Sequence, residues 1–178
     1  MKKSYLSRVG VPAFFIFIFT ASPLALAETG TAVIKGTAEG SSIAGKAVFQ
    51  DTAEGLKVSV ELNNVPPGKH GFHIHQYGAC GDSGKAAGGH FNPDAVAHGL
   101  LLKDGFTHAH AGDLGNAEIT PDGTGKVELI LPGLSLSGGK YSVGGRSLIL
   151  HEKEDDFGQP TGNAGGRIGC GTIEITGE

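Results

Sequence analysis

The sequence predicts an all-β domain, an antiparallel barrel or sandwich carrying two long functional loops. Three observations predict it. Short stretches alternate apolar and polar residues with a period of two, as in Leu56, Val58, Val60 and Leu62 against Lys57, Ser59 and Glu61. Glycine fills 31 of 178 positions and separates those stretches. Long apolar stripes at helical spacing do not occur.

The chain opens on an address rather than a fold. Lys2, Lys3 and Arg8 form a basic start, Val9 to Thr20 is apolar, and Ala25-Leu26-Ala27 fits a small-residue cleavage site. Residues 1–27 are therefore read as a signal peptide, and 28–178 as the mature domain. The uncharged run from Val9 to Ala27 is 19 residues, at the lower limit for a membrane span; Pro12, Ser22 and Pro23 weaken an anchor. No stable membrane association is expected after cleavage. Strands are expected at 31–37, 44–50, 56–62, 70–76, 116–120, 127–131, 148–150 and 170–176. Turn signals lie between them at Asn64 to Gly68, Asp122-Gly123 and Gly138-Gly139. Residues 77–115 and 152–169 show no period and are rich in Gly, His and Asp. Irregular stretches this long inside one domain point to function.

Removing residues 1–27 takes away three cations and no anion, so the net charge moves from −4 to −7 with neutral histidine. No basic run remains to follow a phosphate backbone, which argues against a nucleic-acid partner. An anionic substrate would need a local reversal of that field. Two cysteines in an exported chain suggest one disulfide, Cys80 to Cys170.

The chemistry lies in the histidines. His73 and His75, two apart on a strand, leave one face together while Phe72 and Ile74 enter the core. Two convergent imidazoles make half a copper or zinc site. His90, His98, His110 and Asp113 follow in the first long loop, and His151 ends a later strand. His70 precedes the pair on the opposite face and reads as a hydrogen-bonded structural residue. His108 could compete with His110 for a metal.

In order, Gly71-Phe72-His73-Ile74-His75, Gly89-His90-Phe91-Asn92-Pro93, His98-Gly99, His110-Ala111-Gly112-Asp113-Leu114-Gly115-Asn116, Leu150-His151-Glu152-Lys153 and Gly162-Asn163-Ala164-Gly165-Gly166-Arg167-Ile168-Gly169-Cys170-Gly171 resemble the motifs of the copper/zinc superoxide dismutase family. The likeness runs from about Thr31 to the end of the chain. It implies a Greek-key barrel, superoxide as substrate, and one copper and one zinc per subunit. His73, His75, His90 and His151 would hold copper; His90, His98, His110 and Asp113 would hold zinc, with His90 bridging the two. Asp155 would bond the far nitrogens of His73 and His98. By the same likeness, Arg167 would receive the anion, Thr161 would wall the access channel, and His90 would carry the proton. Lys153 and Lys103 are the nearest candidates for guiding the anion. A homodimer is possible through a surface holding Tyr77, Gly144, Gly145, Thr172, Glu174 and Ile175, in the periplasm or as a secreted protein. The competing reading is a non-enzymatic copper-binding or copper-chaperone-like domain, which would have no use for Arg167.

Overall fold

The computed structural model describes residues 27–177. The predicted signal segment, apart from Ala27, lies outside the described residues. Nine strands form among them: β1 (Thr29–Gly36), β2 (Ala44–Thr52), β3 (Gly55–Asn63), β4 (Gly68–His75), β5 (Asp113–Ile119), β6 (Gly125–Leu131), β7 (Ser147–His151), β8 (Arg167–Thr172) and β9 (Glu174–Gly177). All pairings are antiparallel. The order is β2-β3-β6-β5-β4-β7-β8-β1, and β1 returns to β2, so the sheet closes on itself as a barrel. The connections β3 to β4 and β6 to β7 each pass over two strands, which is the Greek-key pattern.

Period-two alternation builds the core. Leu56, Val58, Val60 and Leu62 of β3 are buried, as are Phe49, Ile34 and Leu131 from neighbouring strands. Each such side chain contributes about 1.5–3 kcal/mol on leaving water. β4 and β7 break the alternation, since residues on both faces are buried. Phe72 and Ile74 belong to the hydrophobic core, while His73 and His75 point the other way and are covered by loops. Backbone hydrogen bonds hold that cover in place, from Phe91 N–H to Ile74 O (2.9 Å) and from Gly71 N–H to Lys153 O (2.8 Å).

Two expectations about boundaries change. β5 begins at Asp113 and β8 at Arg167, so both residues stand on strands rather than inside loops. Each strand carries a bulge near that end. Gly71 faces Asn116 but His73 faces Asp113, which leaves one extra residue in β5, where Gly115 has φ 92°. Leu150 faces Gly169 while His151 faces Arg167, which leaves an extra residue in β8. A bulge re-aims side chains beside it, and here the two re-aim Asp113 and Arg167. The expected strand 170–176 is split, because Ile173 turns fully inward between β8 and β9.

The first long loop contains a 3-10 turn (Lys85–Ala87) and a four-residue helix α1 (Leu101–Asp104). The disulfide Cys80–Cys170 forms, fixing this loop to β8 across 90 residues of sequence. Among the described residues no helix is long and apolar enough to cross a membrane.

Candidate metal centre

Seven side chains on four different segments meet under the two loops. His73 and His75 come from β4, His90, His98 and His110 from the first loop, Asp113 from the start of β5 and His151 from the end of β7. Their ligand atoms form two groups, His73/His75/His90/His151 and His90/His98/His110/Asp113, with the atoms of each group within 4.8 Å of one another. His90 belongs to both.

Asp113 is the hub of the second group. Its Oδ1 lies 2.8 Å from His90 Nδ1 and 3.0 Å from His110 Nδ1. Oδ2 accepts from the peptide N–H of Gly99 at 3.0 Å and of His110 at 2.8 Å. The same oxygen is 2.9 Å from His98 Nδ1, yet that nitrogen is misaligned and makes no hydrogen bond. Three Nδ1 atoms thus converge on one carboxylate. That donor set, three imidazoles and one carboxylate, suits tetrahedral zinc with no position left for a substrate.

The first group is arranged by what lies behind each ring. His75 Nδ1–H donates to Gly88 O at 3.0 Å, and His151 Nδ1 faces Gly165 O at 3.4 Å. Their Nε2 atoms, left with lone pairs, stand 3.3 Å apart. His73 Nε2–H donates to Asp155 at 2.7 Å, and its buried Nδ1 has no hydrogen-bond partner. His90 spends Nδ1 on Asp113, which leaves Nε2 for this group. Lone pairs aimed at one another rather than at donors fit a cation between them, and an all-imidazole set suits copper. The residues therefore fit both metals.

Electrostatics agree. Burial pushes His75 down to about 2 and His151 to about 3, helped by neighbouring histidines and by Arg167. Burial also lowers His90, to about 4, although Asp113 opposes it. These rings stay neutral, as metal ligands must. For His98 burial acts downward too, but the carboxylates of Asp113 and Asp155 outweigh it and raise the ring to about 9. Burial would raise Asp113 and Asp155; instead the histidines around each hold it well below the usual carboxylate range.

Asp155 is fully buried and joins the two groups from outside, taking His73 Nε2 at 2.7 Å and His98 Nε2 at 3.0 Å. Gly162 passes over it at φ 78°; a Cβ there would sit 1.9 Å from Asp155 Oδ1 and 2.8 Å from His98 Nε2. Sequence reasoning missed Asn116, whose amide accepts from Asp155 N–H (2.7 Å) and donates to Asp155 O (2.9 Å). It also missed Gln159, which bonds the backbone of His98. Both are polar residues beside motif positions, and only the fold reveals what they touch.

Arg167 is half-buried at the edge of the first group. Its guanidinium donates to Gly84 O and Gly88 O, each at 2.6 Å. Gly88 O thus holds both Arg167 and His75, and the disulfide anchors the segment that supplies it. Thr161 is exposed beside Gly162 and forms no hydrogen bond among the described residues. His70 is buried between His151 O and Pro66 O, 2.8 Å from each, as a structural histidine. His108 is exposed and bonds Thr107, away from the groups. Lys153 and Lys103 are exposed, the stem of Lys153 lying against Gly165. Gly144 lies against Ile175, and Gly78 against Gly145 and Thr172; with exposed Tyr77 they make one surface patch.

Comparison with known proteins gives a consistent picture. The family model for copper/zinc superoxide dismutase matches residues 43–173. An extracellular superoxide dismutase [Cu-Zn] of Caenorhabditis elegans is 41% identical over 132 residues, covering 70% of this chain and 58% of that protein. One from Brugia pahangi is 35% identical over 161 residues, covering 85% of this chain and 79% of that protein. The chain thus spans somewhat more than half the length of the first relative. The crystal structure of the clock protein EA4 superposes with a TM-score of 0.75 at 33% identity, over 88% of this chain and all of that one.

Proposed function

The chain belongs to the copper/zinc superoxide dismutase family, and from that premise we propose that it converts superoxide to dioxygen and hydrogen peroxide at the paired metal centre. The observation that carries the proposal is the shared histidine. Two four-donor groups meet at His90, one all-imidazole and one closed by a carboxylate, with an arginine at the edge of the first. Copper held by His73, His75, His90 and His151 would supply a one-electron couple, and zinc held by His90, His98, His110 and Asp113 a fixed positive charge.

The chain's own groups do the rest. Arg167, clamped by two carbonyls, keeps its charge at the mouth of the copper group and draws a small anion into an otherwise acidic molecule. The neutral imidazoles of His75 and His151 add no competing proton there. His90 Nε2 would hold and release a proton in the half of the cycle in which it does not bind copper, and solvent supplies the second, so two superoxide ions and two protons give one dioxygen and one hydrogen peroxide. Asp155 keeps His73 and His98 in the tautomers that leave both Nδ1 atoms free for metal. Thr161 narrows the approach. A copper-storage or chaperone-like domain has no work for a clamped Arg167. Export, with removal of residues 1–27 and action in the periplasm or as a secreted protein, completes the reading, and the patch around Tyr77 and Ile175 would join two copies.

The test is superoxide decay after pulse radiolysis. The mature chain loaded with both metals should consume superoxide far faster than the same chain loaded with zinc alone. Equal decay in the two would refute the function.

A further inference from the structure

The loop 152–166 grips His98 twice. Asp155 holds its ring, and Gln159 holds its backbone. Gln159 Oε1 accepts from His98 N–H at 3.1 Å, and Gln159 Nε2–H donates to His98 O at 2.8 Å. One primary amide thus satisfies both peptide groups of a zinc-group residue, as a paired strand would. Neither peptide group of His98 has another partner among the described residues. The neighbours of His98 are pinned otherwise: Val96 by Asn92 at 2.9 and 3.1 Å, and Gly99 by Asp113 at 3.0 Å. His98 is the gap that Gln159 fills.

A tight turn presents the amide. Gly162 N–H donates to Gly158 O at 2.7 Å and Asp156 N–H to Gly162 O at 2.9 Å, so the turn that carries Gln159 and Thr161 closes on Asp156, next to Asp155. The same loop runs on to Arg167.

We infer that Gln159 is a positioning residue for zinc: it latches the loop carrying Asp155 and Thr161 onto the backbone of His98, so that zinc retention depends on the loop being closed. The inference rests on the two-metal reading above. Gln159 is itself exposed, so water competes for both bonds. A pair of neutral hydrogen bonds in that setting moves an equilibrium by about tenfold.

The experiment compares wild type with Gln159→Ala, Gln159→Met and Gln159→Glu, all loaded with copper and zinc. Zinc release into excess chromogenic chelator is one readout. Hydrogen exchange of the His98 amide, by NMR in the reduced diamagnetic protein, is the other. Ala and Met should both release zinc about tenfold faster and expose the His98 amide to a similar degree, while copper is retained as in wild type. Met preserves length and bulk without the bonds, so it should follow Ala. Glu keeps an acceptor for His98 N–H but sets an anionic oxygen against His98 O, so it should protect the amide in part and still lose zinc faster. Wild-type zinc release and amide exchange in Ala and Met, with zinc bound, overturn this inference alone. A wild-type chain that retains no zinc overturns the proposed function and this inference together.

Discussion

Replacing Asp155 by Asn changes almost no volume and removes one charge. The fully buried carboxylate accepts from His73 Nε2 at 2.7 Å, from His98 Nε2 at 3.0 Å and from Phe157 N–H at 2.8 Å. An asparagine keeps one acceptor and turns an NH2 toward a ring N–H. One charge-assisted bond, about 1.5–3 kcal/mol, is lost and two donors face each other. Partners behind metal-binding histidines typically govern 10–100-fold in affinity, which is about 1.4–2.7 kcal/mol and matches the loss of that bond. Zinc should suffer more than copper. His75 and His151, proposed for copper, have their own carbonyl anchors at Gly88 and Gly165, whereas His90 and His110 are held through Asp113, itself a proposed zinc ligand. Chelator competition at neutral pH, with circular dichroism to verify the fold, measures both affinities. Unchanged zinc affinity in a folded Asp155→Asn protein would show that Asp155 does not organise the centre.

Other outcomes follow from the same contacts. Replacing Cys80 and Cys170 by Ser opens a loop of 90 residues and should cost about 4–5 kcal/mol by loop entropy; denaturant titration reads this, and superoxide turnover should fall with it as Arg167 loses its carbonyl clamp. In the metal-free chain the lowered histidines make stability depend on pH. His75, His90 and His151 take up protons in the unfolded chain below about 6.5 but not in the folded one, so folding should weaken as pH falls, by about 2 kcal/mol for each at pH 5. His98, raised to about 9, works in the opposite sense, its contribution being full below about 6.5 and lost as pH rises toward 9. Both metals should steepen the profile between pH 5 and 8, because a metal-bound His98 no longer keeps the proton that offsets the other three, and a metal-free protein equally stable at pH 7 and 5 would contradict the neutral, buried assignment. Arg167→Ile should keep both metals while reducing turnover at low salt and flattening its dependence on ionic strength, with Arg167→Lys in between; a wild-type salt slope would make Arg167 an ordinary surface residue.

Much of this was legible in the chain because the relevant signals are local. Period-two alternation marks β3 without any tertiary knowledge, and His73 with His75 shows that both rings leave the same face of β4. Motif order named two candidate ligand groups, and the fold brings the donor atoms of each within 4.8 Å of one another. What was hidden depends on register. Asp113 and Arg167 looked like loop residues because a bulge adds a residue without altering composition, and only pairing shows it. Ile173 reads as one more apolar residue in a strand, and its inward turn splits that strand in two. Asn116 and Gln159 lie 39 and 61 residues in sequence from the backbone groups they bond, so no local pattern connects them. Carbonyl anchors such as Gly88 O are invisible in principle, since every residue carries one.

The most direct measurement is the metal content of four proteins: wild type, His151→Ala, Asp113→Ala and His90→Ala, each loaded with copper and zinc, passed through a mild chelator and analysed by elemental mass spectrometry. Wild type should retain one copper and one zinc per chain. His151→Ala should lose copper and keep zinc, Asp113→Ala should lose zinc and keep copper, and His90→Ala should weaken both, because it is the one side chain in both groups. Selective loss of a single metal from His90→Ala, or equal loss of both from the other two, would contradict a centre built on a shared histidine.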